Sequence, residues 1–322
     1  MLVQALLISL FVNVYLTEST EIVIGSIVRP RGISAEVHNQ KIRDFWTSDK
    51  LKAAKSLDII LTNVPHGRSS ANHSEPDGPP SSVPGTVPSG NSRLLRTISG
   101  NGRQVSTTGK VFFQGPDGGY YMCSAAIVSS TTGDLVATAG HCVYDTDKEA
   151  WLNSNWVFIP AYSNGNRPYG TWPARNFLAL TSWTNNRDFN YDVGFVALST
   201  LDGQHIESRL GAQGIGFNYA RSEYTYAFGY PGNLDGGNYL KSCSGNAGNP
   251  TGAGSDYHGQ RLACNMGGGS SGGPWLQSVV ESTGVGYVTA VNSFGIGSAP
   301  NYMFGPYFDM TIGSLYDTAK VA

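Results

Sequence analysis

Three short stretches carry residue types that could do chemistry together. In Ala137-Thr-Ala-Gly-His-Cys142 a histidine stands on a turn directly after the apolar run Leu135-Val-Ala. An imidazole titrates near pH 6.5, so it can take up a proton and return it close to neutrality. Asp188-Phe-Asn-Tyr-Asp192 leads into Val193-Gly-Phe-Val-Ala-Leu198. Asp192 at the mouth of so apolar a strand is costly unless it is hydrogen-bonded or paired, and a histidine N–H would compensate it. Asp188 is the competing acid, but it lies further from the strand and reads as solvated. The third stretch is Gly267-Gly-Gly-Ser-Ser-Gly-Gly-Pro-Trp275. Glycines on both sides of a serine leave no Cβ in the way, so backbone N–H groups can converge on one small volume. Such donors, about 3 Å from an oxygen that becomes negative, stabilise a tetrahedral intermediate. A serine hydroxyl beside them becomes a nucleophile once a base takes its proton. Each stretch alone has an ordinary reading, as a structural histidine, a capped strand or a Gly/Ser loop. Their order along the chain gives them weight.

The elements that must position these residues are short strands. Lys110–Gln114, Tyr121–Val128, Leu135–Thr138, Trp156–Ile159, Val193–Leu198, Tyr224–Phe228, Gly286–Val291 and Tyr302–Phe304 all read as β. Asp-Gly-Gly, Thr-Thr-Gly, Asn-Gly-Asn and Pro-Gly-Asn turn signals separate them. Many short strands with turns between them point to a sandwich or a barrel. A late helix is expected over Thr311 to Lys320, docked on the last strands.

Composition agrees. Charged residues make up only 14% of the 322, and glycines number 41, which suits strands and turns rather than long surface helices. The formal net charge of −2 offers no broad basic field for nucleic acid or an anionic membrane.

Before the strand-rich region the chain changes character twice. Met1 to Leu16 is an apolar run too short to span a membrane comfortably. It reads as a signal peptide cut after Ser19, though no Lys or Arg precedes it. From about residue 20 to 66 apolar clusters alternate with charges, and Lys41 to Leu61 could carry a helix. Gly67 to Asn91 is dominated by Ser, Pro, Gly and Asn, a composition expected of a flexible linker. Asn72-His-Ser74 within it matches a glycosylation pattern. Arg93 and Arg96 follow, as exposed basic sites suited to proteolytic nicking. The expected organisation is a signal peptide over 1–19, a pro-segment and linker over 20–104, and a catalytic domain over 105–322. An accessory domain that stays attached is the alternative for 20–104.

The four cysteines allow three complete pairings. Their clustering favours Cys123–Cys142 and Cys243–Cys264, two local loops of about twenty residues, each contributing about 3 kcal/mol if formed. Free buried thiols or a zinc site are the other readings. Zinc is disfavoured because no Cys-x-x-Cys pair exists, and an oxidising compartment is the simpler account.

Taken together, Thr138-Ala-Gly-His-Cys142, Asp192-Val-Gly-Phe-Val-Ala-Leu198 and Gly269-Ser-Ser-Gly-Gly-Pro274 resemble the chymotrypsin-like serine peptidases. In that family the order is histidine, aspartate, serine. The resemblance covers about residues 105 to 318, and is strongest to secreted bacterial and fungal trypsin-like members, relatives of the glutamyl endopeptidases included. It implies an all-β fold of two packed antiparallel β-barrels with a C-terminal helix, and a secreted monomer that hydrolyses peptide bonds without metal or cofactor. It further implies His141 as general base, Asp192 as its orienting partner and Ser271, directly before Gly-Gly-Pro, as nucleophile. Backbone N–H groups of Gly269 and Ser271 would form the oxyanion hole. Ser293 would hydrogen-bond Asp192, and Ser293 and Gly295 would pair with an extended substrate. Asn265, Met266, Asn292 and Phe294 complete the expected substrate-binding set, with Gly305 and Tyr307 as further candidates.

Two departures from the family pattern bear on regulation and specificity. Ser270 stands where animal digestive members carry the aspartate that pairs with a newly cut N-terminus, so that switch is expected to be absent. Asn265 stands at the pocket floor, and with no carboxylate there a Lys or Arg preference is disfavoured. A catalytically silent homologue that binds peptides or glycans is the rival from another class. An esterase is a second rival, since Gly269-Ser-Ser-Gly-Gly273 fits its short pattern. The position of His141, far upstream of the serine, argues against it.

Overall fold

In the computed structural model, residues 20–57, 59–61, 77–87 and 106–322 are described. The expected signal peptide, Asn72-His-Ser74, Arg93 and Arg96 lie outside them.

In chain order, the N-terminal region gives β1 (Ile22–Ser26), helices α1 (Ala35–Phe45) and α2 (Ser48–Ala53), and three short strands. These are β2 (Lys55–Ser56), β3 (Ile60–Leu61) and β4 (Ser81–Val83). The first large unit follows with β5 (Thr108–Gln114), β6 (Tyr120–Ile127) and β7 (Leu135–Thr138). A small hairpin of β8 (Tyr144–Asp145) and β9 (Ala150–Trp151) comes next, then β10 (Ser154–Pro160), β11 (Trp172–Leu180) and β12 (Gly194–Leu198). The second unit holds β13 (Gly214–Phe217), β14 (Tyr224–Gly229), β15 (Lys241–Asn246), β16 (Gln260–Ala263), β17 (Pro274–Val280), β18 (Val285–Val291), β19 (Phe294–Ile296) and β20 (Ala299–Gly305). A C-terminal helix, Met310–Ala319, ends the chain one residue off the expected range.

Strands β5, β6, β7, β12, β11 and β10 pair in that order and close, because β10 pairs with β5 and β11 with both β10 and β12. All six pairings are antiparallel, so this unit is a closed barrel. Both faces of its wall are buried: Val111, Phe112, Phe158, Phe177 and Phe195 are all fully buried in one cluster, Phe112 packing on Trp46 and Phe195 on Tyr316 of the C-terminal helix. The second unit wraps a six-stranded and a four-stranded sheet around Ala227, Leu262, Trp275, Ala290 and Met303. One of its pairings, β13 with β18, is parallel. The C-terminal helix is capped by Asp309, whose carboxylate accepts from the Ile312 N–H at 3.0 Å. It buries Ile312, Leu315, Tyr316 and Ala319, and the Tyr316 hydroxyl donates to Ser129 O at 2.7 Å. The architecture is therefore all-β, a double barrel with one docked C-terminal helix.

The N-terminal region departs from the sequence reading. The helix expected over Lys41 to Leu61 is split into α1 and α2, and Leu61 lies in a strand. Part of the expected flexible linker is also built in: β4 is the edge strand of the second unit, with Ile215 opposite Val83 and Phe217 opposite Ser81. Main-chain hydrogen bonds at a sheet edge are available to any sequence with free N–H and C=O groups, so a Ser-rich stretch with one Val can occupy it. Upstream, β1 adds to β11 with Ile22 opposite Leu180 and Ser26 opposite Asn176. Trp46 is 1% exposed; its indole N–H donates to Asn155 O at 2.6 Å.

One buried cation has a measurable consequence. Lys110 in β5 is 2% exposed, donates from Nζ to Gly237 O at 2.8 Å, and faces the rings of Phe112 and Tyr162 at 5.0 and 4.9 Å. Burial lowers its pKa to about 7. A lysine in the unfolded chain titrates near 10.4, so between about pH 7 and 10 the unfolded state binds the extra proton. The group then makes stability rise with pH by up to about 1.4 kcal/mol per pH unit. Lys110→Met removes that dependence. Urea unfolding should show the variant gaining most on the wild type at pH 6 to 7 and losing that gain by pH 10. A pH-independent difference would contradict the titration.

Candidate active site

His141 sits in a single 3₁₀ turn, Gly140–Cys142, at the end of β7. Two constraints fix it. Cys142 is bonded to Cys123 of β6, with Cα atoms 6.3 Å apart. Asp192, fully buried at the start of β12, holds the histidine at two points. Its Oδ1 accepts the His141 backbone N–H at 2.8 Å, and its Oδ2 lies 2.8 Å from Nδ1. Ser293 Oγ donates to the same Oδ2 at 2.5 Å. Three donors offset the burial of this carboxylate. An ionised carboxylate only accepts, so Nδ1 carries the ring proton and Nε2 carries the lone pair. Nε2 is buried, with no hydrogen-bond partner among the described residues. Asp188 is turned elsewhere: its Oδ1 accepts from Asn190 N and Nδ2 at 3.0 and 2.9 Å.

The serine loop lies between β16 and β17 and is pressed against the histidine turn. Gly272 has φ +80°, and a Cβ there would fall 2.1 Å from Thr138 Oγ1 and 2.4 Å from Ser124 O. Only glycine allows that approach. Gly269 also has positive φ, +89°. No acceptor among the described residues takes the amide N–H of Gly269 or of Ser271, so both are unspent donors.

Ser124 is a residue that the sequence reading passed over. Its N–H donates to Ser271 O at 2.8 Å, its Oγ donates to Gly269 O at 2.8 Å, and the same Oγ accepts from Tyr230 N at 2.9 Å. Thr138 Oγ1 donates to Ser124 O at 2.8 Å. The first barrel thereby grips the serine loop of the second. A hydroxyl inside the apolar run Cys123-Ser-Ala-Ala-Ile127 was the available signal.

Most expected substrate-binding residues surround one cavity of about 240 Å³, lined by Asn265, Met266, Ser271, Ser293, Phe294 and Gly295 among others. Its lining includes no charged side chain. Asn292 is a correction. Its side chain is fully buried and faces inward: Nδ2 donates to Phe228 O at 2.8 Å and Ser270 O at 2.9 Å, while Oδ1 accepts from Trp275 Nε1 at 2.7 Å. It braces the serine loop from beneath and does not line the cavity. The Phe294 ring is stacked on Phe304, 5.2 Å between centroids. Gly305 packs on Val291 O and Trp275, and the Tyr307 ring carries the Arg221 guanidinium at 3.8 Å; neither lines the cavity. Cys243–Cys264 joins β15 to the end of β16 beside it, with Cα atoms 5.4 Å apart.

Ser271 Oγ donates to Leu57 O at 3.4 Å, so in this structure its hydrogen bond goes to the N-terminal region and not to His141. A second cavity, about 410 Å³, is lined by His141, Leu57, Ile59, Tyr121 and Trp183 among others. Ile59 lines both cavities.

No family model matches the chain. Among solved structures, the protease Anisep from Arthrobacter nicotinovorans is 40% identical, covering 68% of this chain and 97% of its own, with a TM-score of 0.62. This chain belongs to the chymotrypsin-like serine protease family. A second family structure, the thermostable serine protease AL20 from an extremophilic microorganism, is 38% identical over 68% of this chain and 98% of its own, with a TM-score of 0.62. Two curated relatives match over shorter stretches. An extracellular metalloprotease of Bacillus subtilis is 35% identical over 86 residues, and a glutamyl endopeptidase of Bacillus licheniformis is 29% identical over 106. These matches span 26% and 31% of the relatives' own lengths. Among the described residues of this family member, the one cluster with metal-ligand proximity is Cys123, His141 and Cys142. Its two sulfurs are tied in a disulfide, so neither is a thiolate donor.

Proposed function

We propose that the chain is a secreted serine endopeptidase that hydrolyses peptide bonds through an acyl-enzyme on Ser271. The observation that carries this reading is a buried imidazole with its lone pair free on Nε2, fixed by Asp192 beside a serine loop with two unspent N–H donors. Ser271 Oγ attacks the substrate carbonyl carbon while its proton passes to His141 Nε2. The carbonyl oxygen, now negative, is held by the Gly269 and Ser271 N–H groups. The C–N bond breaks as Nε2 returns its proton to the departing amine. Water then adds to the ester, giving a proton to Nε2, and the Oγ–acyl bond breaks to release the acid and restore the hydroxyl. Asp192 keeps the ring in the tautomer that accepts at Nε2 and stabilises its cationic form.

Residues 1–19 act as the export signal, 20–104 as the pro-segment and 105–322 as the peptidase, working as a monomer on protein or peptide substrates. Two disulfides support an oxidising destination, and no described helix is long and apolar enough to cross a membrane. The uncharged lining of the smaller cavity favours an uncharged residue before the scissile bond, because a buried ion would lack its partner there. Profiling of cleavage sites on a peptide library, with protein from which residues 20–61 have been removed, tests this. Scission after uncharged residues is expected, and a tenfold preference for Lys or Arg would contradict the pocket assignment.

A further inference from the structure

The N-terminal region crosses the candidate active site from one side to the other. At one end β2 lies along β6, with Lys55 opposite Tyr121 and Ser56 opposite Met122, and Leu57 N donates to Met122 O at 3.3 Å. At the other end β3 lies along β19, with Ile60 opposite Gly295 and Leu61 opposite Ile296. Gly295 N donates to Ile59 O and Gly297 N to Leu61 O, both at 3.0 Å. Both pairings are parallel, with the evenly slanted bonds of a parallel ladder. Between them, Leu57 O accepts from the Ser271 hydroxyl.

This direction is wrong for catalysis. His141 must protonate the departing amine, so the amine half of a scissile bond has to lie on the histidine side. Here the chain upstream of the Leu57 carbonyl runs on that side, and Leu57 itself lines the cavity with His141. The part that would leave as the amine runs instead toward Gly295 and Gly297. The contact at Ser271 is also inverted. Attack requires the Oγ lone pair on the carbonyl carbon, with the carbonyl oxygen turned to the Gly269 and Ser271 N–H groups. The hydroxyl instead donates a hydrogen bond to the carbonyl oxygen.

Resting on the serine-peptidase reading, we infer that residues 55–57 and 59–61 are a built-in inhibitor that occupies the substrate strand position with reversed chain direction. The peptidase cannot remove it by cutting after Leu57. The anchor upstream holds it in place. β1 is a strand added to the first barrel, and Ile42, Trp46 and Leu51 are buried against that barrel. Attachment of this kind gives the segment a high effective concentration at the cleft. Because the anchor is non-covalent and independent of the chain beyond residue 61, one nick downstream leaves the inhibitor seated. Activation therefore requires loss or degradation of residues 20–61, not merely scission after them.

The test uses the full chain and a fluorophosphonate that labels an activated serine. Ser56 packs so closely on Gly232 that a Cβ at Gly232 would lie 2.0 Å from Ser56 Oγ, so Ser56→Trp should displace the segment while leaving His141, Asp192 and Ser271 unchanged. Trp46→Ala weakens the anchor as a second route. Wild type is expected to label at Ser271 at least tenfold more slowly than Ser56→Trp. Hydrogen exchange should show the Gly295 and Gly297 amides protected in wild type and released in the variant. Wild type nicked downstream of residue 61 should stay slow, and mass spectrometry should find the bond after Leu57 intact. Equal labelling of wild type and Ser56→Trp, or scission after Leu57 in the latent chain, overturns the inference and leaves the peptidase reading standing. Amides released by Ser56→Trp with Ser271 still unlabelled overturn both.

Discussion

Ser271→Ala, assayed after the N-terminal segment has been removed, loses peptide hydrolysis by about 10⁴-fold or more in kcat while its melting temperature barely moves. The two halves of that expectation have separate grounds. The hydroxyl makes one hydrogen bond in the structure, to Leu57 O. The bonds that position the loop use the backbone of Ser271 and the side chains of Ser124 and Asn292. Alanine keeps all of those, so the cost to folding stays within about 0.5 kcal/mol. The nucleophile itself is gone, and what survives is the binding and oxyanion contribution alone. His141→Ala should fall comparably, and the double variant should be no slower than either single one, because residues that act as one unit are not additive. Near-normal turnover by pure Ser271→Ala protein would remove this serine from the mechanism.

The proposed catalytic constellation could be picked out in the sequence because each member is announced by local chemistry. A glycine run around Ser271, an aspartate at the mouth of an apolar strand and a histidine flanked by Ala-Gly and Cys are short-range signals. The strands with uniform apolar character, such as Leu135–Thr138 and Gly194–Leu198, were legible for the same reason. Trp172–Leu180 was not: Pro173, Arg175 and Asn176 interrupt its pattern, although its ends are buried. The Asn292 assignment failed because position in a motif does not say which way a side chain points. An amide can serve a cleft or, as here, three buried groups behind it. Ser81–Val83, together with Lys55–Ser56 and Ile60–Leu61, escaped detection for a different reason. All three are held by main-chain pairing at strand edges, where sequence composition carries little information. The inhibitory reading of the cleft thus came only from register and direction.

Asp192→Asn carries the second large effect, about 10⁴-fold in kcat, and its cause can be traced atom by atom. The carboxylate accepts from three donors: the His141 backbone N–H at Oδ1, and the His141 ring and Ser293 hydroxyl at Oδ2. An asparagine has one accepting oxygen and one donating nitrogen. With the NH₂ at the Oδ1 position, two N–H groups would face each other without an acceptor in a fully buried place, which is strongly unfavourable. With the NH₂ at the Oδ2 position, the Ser293 hydroxyl can rotate to accept, and the imidazole must accept at Nδ1. Its proton then sits on Nε2, where the lone pair is needed. The second arrangement leaves no pair of N–H groups facing each other, so the variant folds with the base in the wrong tautomer. Ser293→Ala makes the informative contrast. It deletes one of three donors and leaves the other two, together with the tautomer, intact; the loss should be about tenfold or less. Steady-state kinetics on both variants, with nitrogen-15 NMR of the His141 ring to read which nitrogen is protonated, checks the assignment. A 10⁴-fold loss in Ser293→Ala, or an Asp192→Asn protein that keeps Nδ1 protonated and stays slow, would mean that Asp192 acts by something other than holding the ring.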